Sequence, residues 1–244
     1  MRNILMTIAF DGTEYCGFQV QKNGVSVAEK IQDAIETVTG ERSDIKGCSR
    51  TDAGVHAEKF CVSFFTDSPL SDRNLRKALD ANLPKDIAAV SCVTVDDDFH
   101  ARYSCKGKKY RYRIWNGESK NPFDKRAMWY KKPLDVEKMR EAAERIVGEK
   151  DFRAFMASGS NITDTVRTVF ECNVEKYDEY VEITVSADGF LYNMVRIIVG
   201  TLIAVSEGKI LPRDIDKIIE KGDRADAGVT VPACGLFLNE VYYD

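Results

Sequence analysis

The spacing of the apolar residues changes in a fixed order along the first hundred positions, and that order limits the fold more than any other feature. Residues 3–10 alternate loosely, as a half-buried strand does. A polar, Gly-rich stretch, DGTEYCGFQVQKNG (11–24), reads as a long loop. In SVAEKIQDAIETVTG (26–40), Ala28, Ile31, Ile35 and Val38 fall on one helical face. Ser26 and Glu29 form a capping box there, and Gly40 stops the helix. A short strand leads to residue 48, and KFCVSFF (59–65) alternates as the next strand. SDRNLRKALDANLP (71–84) is a helix with Ser71 as cap, and IAAVSCVTV (87–95) is a strand. The order β-α-β-β-α-β predicts helices packed on one face of a sheet.

The second half mixes strands and helices in similar proportion. KKYRYRIW (108–115) is a strand. Residues 135–148 form a helix capped by Asp135, with Val136, Met139, Ala143 and Ile146 inward. Residues 165–176 and 180–187 form a hairpin around KYDE. The most apolar helix is expected over 190–208, and a short amphipathic one over 211–222 with Pro212 near its start. A strand over 235–244 ends the chain. The reading is α+β in two domains, 1–104 and 105–244. DAGVHA (52–57) and DAGVTVPA (226–233) look alike, but over too few residues to establish a duplication.

Composition narrows the function. No apolar run is long enough to cross a bilayer, and the first residues read as a strand rather than a signal peptide. The seven cysteines are scattered without CxxC spacing, which fits reduced thiols in a cytoplasmic protein. With two histidines, no metal site is expected. No GxxxxGK[ST] or GxGxxG occurs, so no nucleotide-cofactor loop is indicated. Net charge is −4, yet His100–Lys132 carries eleven Lys/Arg against Glu118 and Asp124. That local +9, in a chain otherwise near −13, is the footprint of a phosphate-rich partner or a strand face matched by distant acids.

Three residues are candidates for chemistry. Asp52, in CSRTDAGVHA, is either a turn aspartate bonded to backbone N–H groups or a carboxylate kept ionised by a cation such as Arg50. Tyr110 shares a strand face with Tyr112 and Ile114, opposite Lys109, Arg111 and Arg113. It is either an inward aromatic or a platform for a nucleic-acid base. Arg196 falls inside the apolar helix, where a guanidinium needs an anion or an exit to solvent.

At GCSRTDAGVHA the chain resembles the TruA family of tRNA pseudouridine synthases. FDGTEYCGFQVQ, FHARYSCKGKKYRYRI, DFRAF, FLYNMVRIIVGTLIAV and PACGLFLNEVYY are similar to further blocks of that family, in order and over nearly the whole chain. The resemblance implies two α+β halves of ferredoxin-like type, sharing a central antiparallel sheet with helices packed on it and an RNA-binding cleft. It implies isomerisation of uridine to pseudouridine in the anticodon stem-loop of tRNA, at tRNA positions 38–40, with no cofactor. It gives Asp52 the role of essential nucleophile and Tyr110 that of base-stacking residue. Arg196 becomes the partner of the aspartate, Arg50 the residue that displaces the target nucleotide, and Leu236 an apolar contact to the uracil. The family's bacterial members resemble homodimers in which one tRNA touches both subunits. Ser49 stands where the family commonly has Gly, which bears on which uridines are chosen. A paralogue with other RNA targets, a non-catalytic RNA-binding protein and a uridine-cleaving glycosidase are the alternatives. The carboxylate disfavours the second, and the want of a second acid beside Asp52 disfavours the third.

Overall fold

In the computed structural model, which describes residues 1–22 and 24–243, the first alternating stretch forms β1 (Arg2–Phe10). Asn23, in the predicted 11–24 loop, and Asp244, at the end of the predicted last strand, lie outside the described residues. Ile4, Met6, Ile8 and Phe10 are buried along β1. Helix α1 (Val27–Thr39) starts where Ser26 Oγ accepts the Glu29 N–H at 3.2 Å and ends at Gly40, with φ of 80°. It buries Val27, Ala28, Ile31, Ala34 and Ile35, whereas Val38, expected inward, is half-buried. Strands β2 (Lys46–Gly47) and β3 (His56–Thr66), helix α2 (Asp72–Asn82) and β4 (Ile87–Val95) follow. Strand β1 lies between β4 and β3, antiparallel to both, and β2 pairs with β3. Phe60 is fully buried at the centre, with Phe18 stacked on it at 4.3 Å and Phe10 tilted at 5.7 Å.

A second unit comprises residues 107–236. Its elements are β5 (Gly107–Trp115), β6 (Met128–Trp129), α3 (Val136–Glu144), β7 (Gly148–Asp151), β8 (Val166–Tyr177), β9 (Tyr180–Ala187), α4 (Met194–Ser206) and α5 (Asp214–Lys221). The strands run β5-β9-β8-β7, each antiparallel to the next, and β6 is parallel to β5. Helix α3 packs on β8 and α4.

Three helices differ from expectation. The helix expected over 211–222 runs only from Asp214 to Lys221, with Arg213 as its cap, so Pro212 lies before it. Residues 135–148 are helical only to Glu144, and Gly148, with φ of 109°, opens β7. The apolar helix begins at Met194 and not at residue 190, because Asn193 takes a left-handed φ of 59°. α4 is buried on most sides, and at Gly200 an added Cβ would lie 1.8 Å from the Val229 carbonyl oxygen. The 228–231 segment therefore lies directly on the helix backbone, where the Gly228 N–H donates to Thr201 Oγ1 at 2.9 Å. No helix among the described residues is long and apolar enough to cross a membrane.

The last strand, β10 (Leu236–Tyr242), places Phe237 and Leu238 in parallel register with His56 and Ala57 of β3. Residues 237–244 thus belong with residues 1–106 in the first unit.

Candidate active site

The segment CSRTDAGVHA leaves β2 and enters β3. Cys48 is buried, and its N–H donates to the Cys61 carbonyl at 2.8 Å. Burial holds the Cys61 thiol above its ordinary pKa, as expected of a packed and unreactive group. The chain then surfaces, so that Arg50 is exposed and Asp52 half-buried. The Asp52 carbonyl accepts the Val55 N–H at 3.2 Å, closing a turn with Gly54 at φ of 78°. That left-handed value at the third turn position is the physical reason for the glycine.

A second loop clamps this turn. The Phe18 N–H donates to the Thr51 carbonyl at 3.2 Å, the Gly54 N–H to the Tyr15 carbonyl at 3.4 Å, and Gly17 bridges to Asp52. A Cβ on Gly12 would sit 1.9 Å from the Val55 oxygen, so the two loops meet backbone to backbone. This contact joins FDGTEYCGFQ and RTDAGVHA into one local structure. Tyr15 is fixed in turn by its hydroxyl, which donates to Asp86 at 2.7 Å; burial foremost, then that carboxylate, pushes the hydroxyl's pKa up.

His56 braces the clamp. It is 1 % exposed, its ring stacks on Phe237 at 4.7 Å, and its Nδ1 accepts the Gly12 N–H at 3.0 Å. Asp11 Oδ1 also lies 3.0 Å from Nδ1, which would require a proton on that nitrogen. One nitrogen cannot serve both. A buried ring favours the neutral form, with its lone pair on the backbone donor. Asp11 Oδ1 then takes the Thr13 N–H at 3.0 Å and the Thr13 hydroxyl at 2.6 Å.

The other named residues lie in the second unit. Tyr110 is buried on β5, edge-on to Phe190 at 5.0 Å, beside the fully buried Tyr112. The Tyr112 hydroxyl donates to the Pro232 carbonyl at 2.7 Å, and burial drives its pKa far up. Leu236 is buried where β10 begins, just after the 3₁₀ turn Ala233–Gly235. Because α4 starts late, Arg196 occupies its first turn rather than its middle. A cation there opposes the positive end of the helix dipole, so this end attracts anions strongly. The guanidinium is aimed by Nε donating to the Val231 carbonyl and by one terminal nitrogen donating to Asn193 Oδ1, each at 2.7 Å. Sequence reasoning named neither Asn193 nor Val231. The only available signal was an asparagine at a helix entry, a residue type tolerant of left-handed backbone.

Part of the basic island is neutralised within its own sheet. Arg113 pairs with Glu182 and Asp124, each at 3.2 Å, Lys109 with Glu171 at 3.3 Å, and Arg111 with Glu182 at 3.8 Å. Lys132 pairs with Glu207 at 2.6 Å, and its bond, with those of Lys209 and Tyr130, holds that carboxyl at about 2. The matched strand face is therefore the better description of β5. Much of the island's remaining positive charge comes from its loops, including Arg102, Lys125 and Arg126, all exposed. Among the described residues, no cluster of His, Cys, Asp or Glu could hold a metal ion.

The family model described as tRNA pseudouridine synthase matches residues 6–104 and 142–244. The chain is 48% identical to tRNA pseudouridine synthase A of Clostridium botulinum (strain Eklund 17B / Type B) over 244 residues, covering all of both chains. It is 45% identical, again over the full length of both, to tRNA pseudouridine synthase A 2 of Clostridium perfringens (strain 13 / Type A) and to tRNA pseudouridine synthase A of Thermoanaerobacter sp. (strain X514). With both halves matched and relatives this similar from end to end, the chain belongs to the TruA family of tRNA pseudouridine synthases.

Proposed function

We propose that this isomerase acts on uridines in the anticodon stem-loop of tRNA, at tRNA positions 38–40, with Asp52 as its nucleophile. The observation that carries the reading is the clamped turn. It holds a half-buried carboxylate at a surface loop, two residues from an exposed arginine. Isomerisation breaks the N1–C1′ bond, turns the uracil and forms a C5–C1′ bond; the C5 hydrogen leaves as a proton and N1 gains one. Nothing is oxidised, so a positioned nucleophile suffices. The ionised carboxylate attacks uracil C6 or ribose C1′, and a neighbouring cation keeps it ionised. Arg196 takes that role.

A paired base must leave the stem before any side chain reaches it. Arg50 displaces it, Tyr110 stacks against it and Leu236 meets its apolar face. In this reading the first domain, 1–104, contributes Asp52 and Arg50, and the second, 105–244, contributes Tyr110, Arg196 and Leu236. A homodimer working in the cytoplasm, with one tRNA touching both subunits, completes it.

The test uses unmodified tRNA transcripts carrying tritium at uridine C5. Wild-type protein is expected to release tritium, and mapping should place pseudouridine in the anticodon arm; modification confined to another arm would overturn the assignment. For Tyr110→Ala, loss of one stacking contact of ~1–3 kcal/mol is expected to lower kcat/KM by roughly five- to a hundredfold. Tyr110→Phe keeps the ring and should stay within about threefold of wild type. Unchanged kinetics for the alanine variant would remove the stacking role.

A further inference from the structure

Beside Arg50, wholly within the first unit, lies an open groove of about 450 Å³. Its wall includes Phe18, Lys46, Ser49, Arg50, His100, Arg102 and Tyr103. Asp44, the acid among the lining residues, is bonded to Lys46, so Arg50 and Arg102 set the sign of the groove. The volume is in the range that holds one nucleotide.

Tyr103 is the feature that calls for explanation. It is 77% exposed although the turn bearing it is tightly pinned. The Ala101 N–H donates to Ser63 Oγ at 3.1 Å, and the Ala101 carbonyl accepts the Tyr243 hydroxyl at 2.8 Å. The Ser104 N–H donates to the His100 carbonyl at 2.9 Å, and His100 Nδ1 accepts the Arg102 N–H at 3.0 Å. The Tyr103 ring lies 4.3 Å from the His100 ring, and the Arg102 guanidinium sits 5.8 Å from its centroid. A hydrogen-bonded turn thus holds a largely exposed aromatic ring beside an imidazole and a guanidinium. That combination serves unpaired nucleic acid: a base stacks on the ring and the cation takes its phosphate.

We infer that this groove is a second nucleotide subsite, holding the RNA nucleotide next to the target uridine with its base on Tyr103 and its phosphate on Arg102. The inference rests on the tRNA-modifying reading above. Arg50 links the two, since it lines the groove and stands two residues from Asp52. Ser49, where the family commonly has Gly, lines the same groove, so its side chain bears on the flanking nucleotide and not on the uridine itself.

Tritium release from tRNA, measured across salt, tests the subsite through Tyr103→Ala, Tyr103→Phe and Arg102→Gln. Tyr103→Ala is expected to raise KM about tenfold or more with kcat within about twofold, because stacking is lost and the chemistry is not. Tyr103→Phe should match wild type. Arg102→Gln should raise KM and flatten the slope of log affinity against log salt by roughly 0.7–0.9, one phosphate contact. All three should melt with wild type, since both side chains are exposed. Unchanged KM and slope in the alanine and glutamine variants of an active enzyme would overturn the subsite alone. A phenylalanine variant as impaired as the alanine one would overturn stacking. A wild-type protein that releases no tritium would overturn the functional reading and the subsite with it.

Discussion

Asp52→Asn is expected to cut pseudouridine formation by more than about a thousandfold while leaving tRNA affinity within about threefold. The two effects separate because the turn is held by main-chain groups. The Asp52 carbonyl takes the Val55 N–H, and Gly17 pairs with the Asp52 backbone. Asparagine keeps these main-chain bonds and the side-chain volume, while it removes the negative charge and exchanges one acceptor oxygen for an NH2 donor. The melting temperature should therefore move little, and RNA binding, which rests on cations and aromatics, should survive. A variant keeping more than about one per cent of turnover would show that the carboxylate is not the nucleophile. A variant that no longer bound tRNA would show that Asp52 positions RNA.

Gly12→Ala is expected to damage stability and catalysis together. Its methyl would lie 1.9 Å from the Val55 carbonyl oxygen, and both partners are backbone, so one loop must move. Overpacking of this kind costs about 1–3 kcal/mol, which lowers Tm by roughly 2–10 °C for a chain of this size. Val55 closes the Asp52 turn, so the displaced loop carries the carboxylate with it. An error near 1 Å at a reacting group can cost about a hundredfold in rate. Gly40→Ala is the control. Gly40 has φ of 80° and nothing within 4 Å of an added Cβ, so it should lose some stability and no activity. Equal kcat in wild type and Gly12→Ala would mean that the clamp does not position Asp52.

The sequence was most legible where local chemistry and tertiary packing agreed. Helix α1 carries its cap, its apolar face and its stop close together in the chain: Ser26 caps it, Gly40 ends it, and Ala28, Ile31 and Ile35 of the expected face are buried, with Val38 half-buried. β7 was missed because GEKD has no apolar alternation; its existence depends on Glu149 and Lys150 finding Thr168 and Arg167 across the ladder. The start of α4 was misplaced because Phe190 and Leu191 are apolar enough to continue the pattern. A single backbone angle at Asn193 decides the boundary, and hydropathy does not encode it.

Which of the two readings of β5's charge holds could not be decided from the sequence, for a related reason. Arg113 lies directly opposite Glu182, 69 positions away in the chain, and only the register with β9 reveals the pair. At the candidate site, Arg50 and Asp52 were readable as neighbours on one loop. The partners that aim Arg196, and the pinned turn that displays Tyr103, were not.

The return of β10 to the first sheet has a consequence for biosynthesis. β1, β3 and β4 are complete once residue 95 has been made, yet one edge of β3 pairs with Phe237 and Leu238. The His56 ring stacks on Phe237, and the Ala101 carbonyl awaits the Tyr243 hydroxyl. Some 130 residues of the second unit are synthesised in between. On the ribosome, the first half therefore waits with an open strand edge and an unsupported His56, and the candidate catalytic loop gains its last brace only when the final strand arrives.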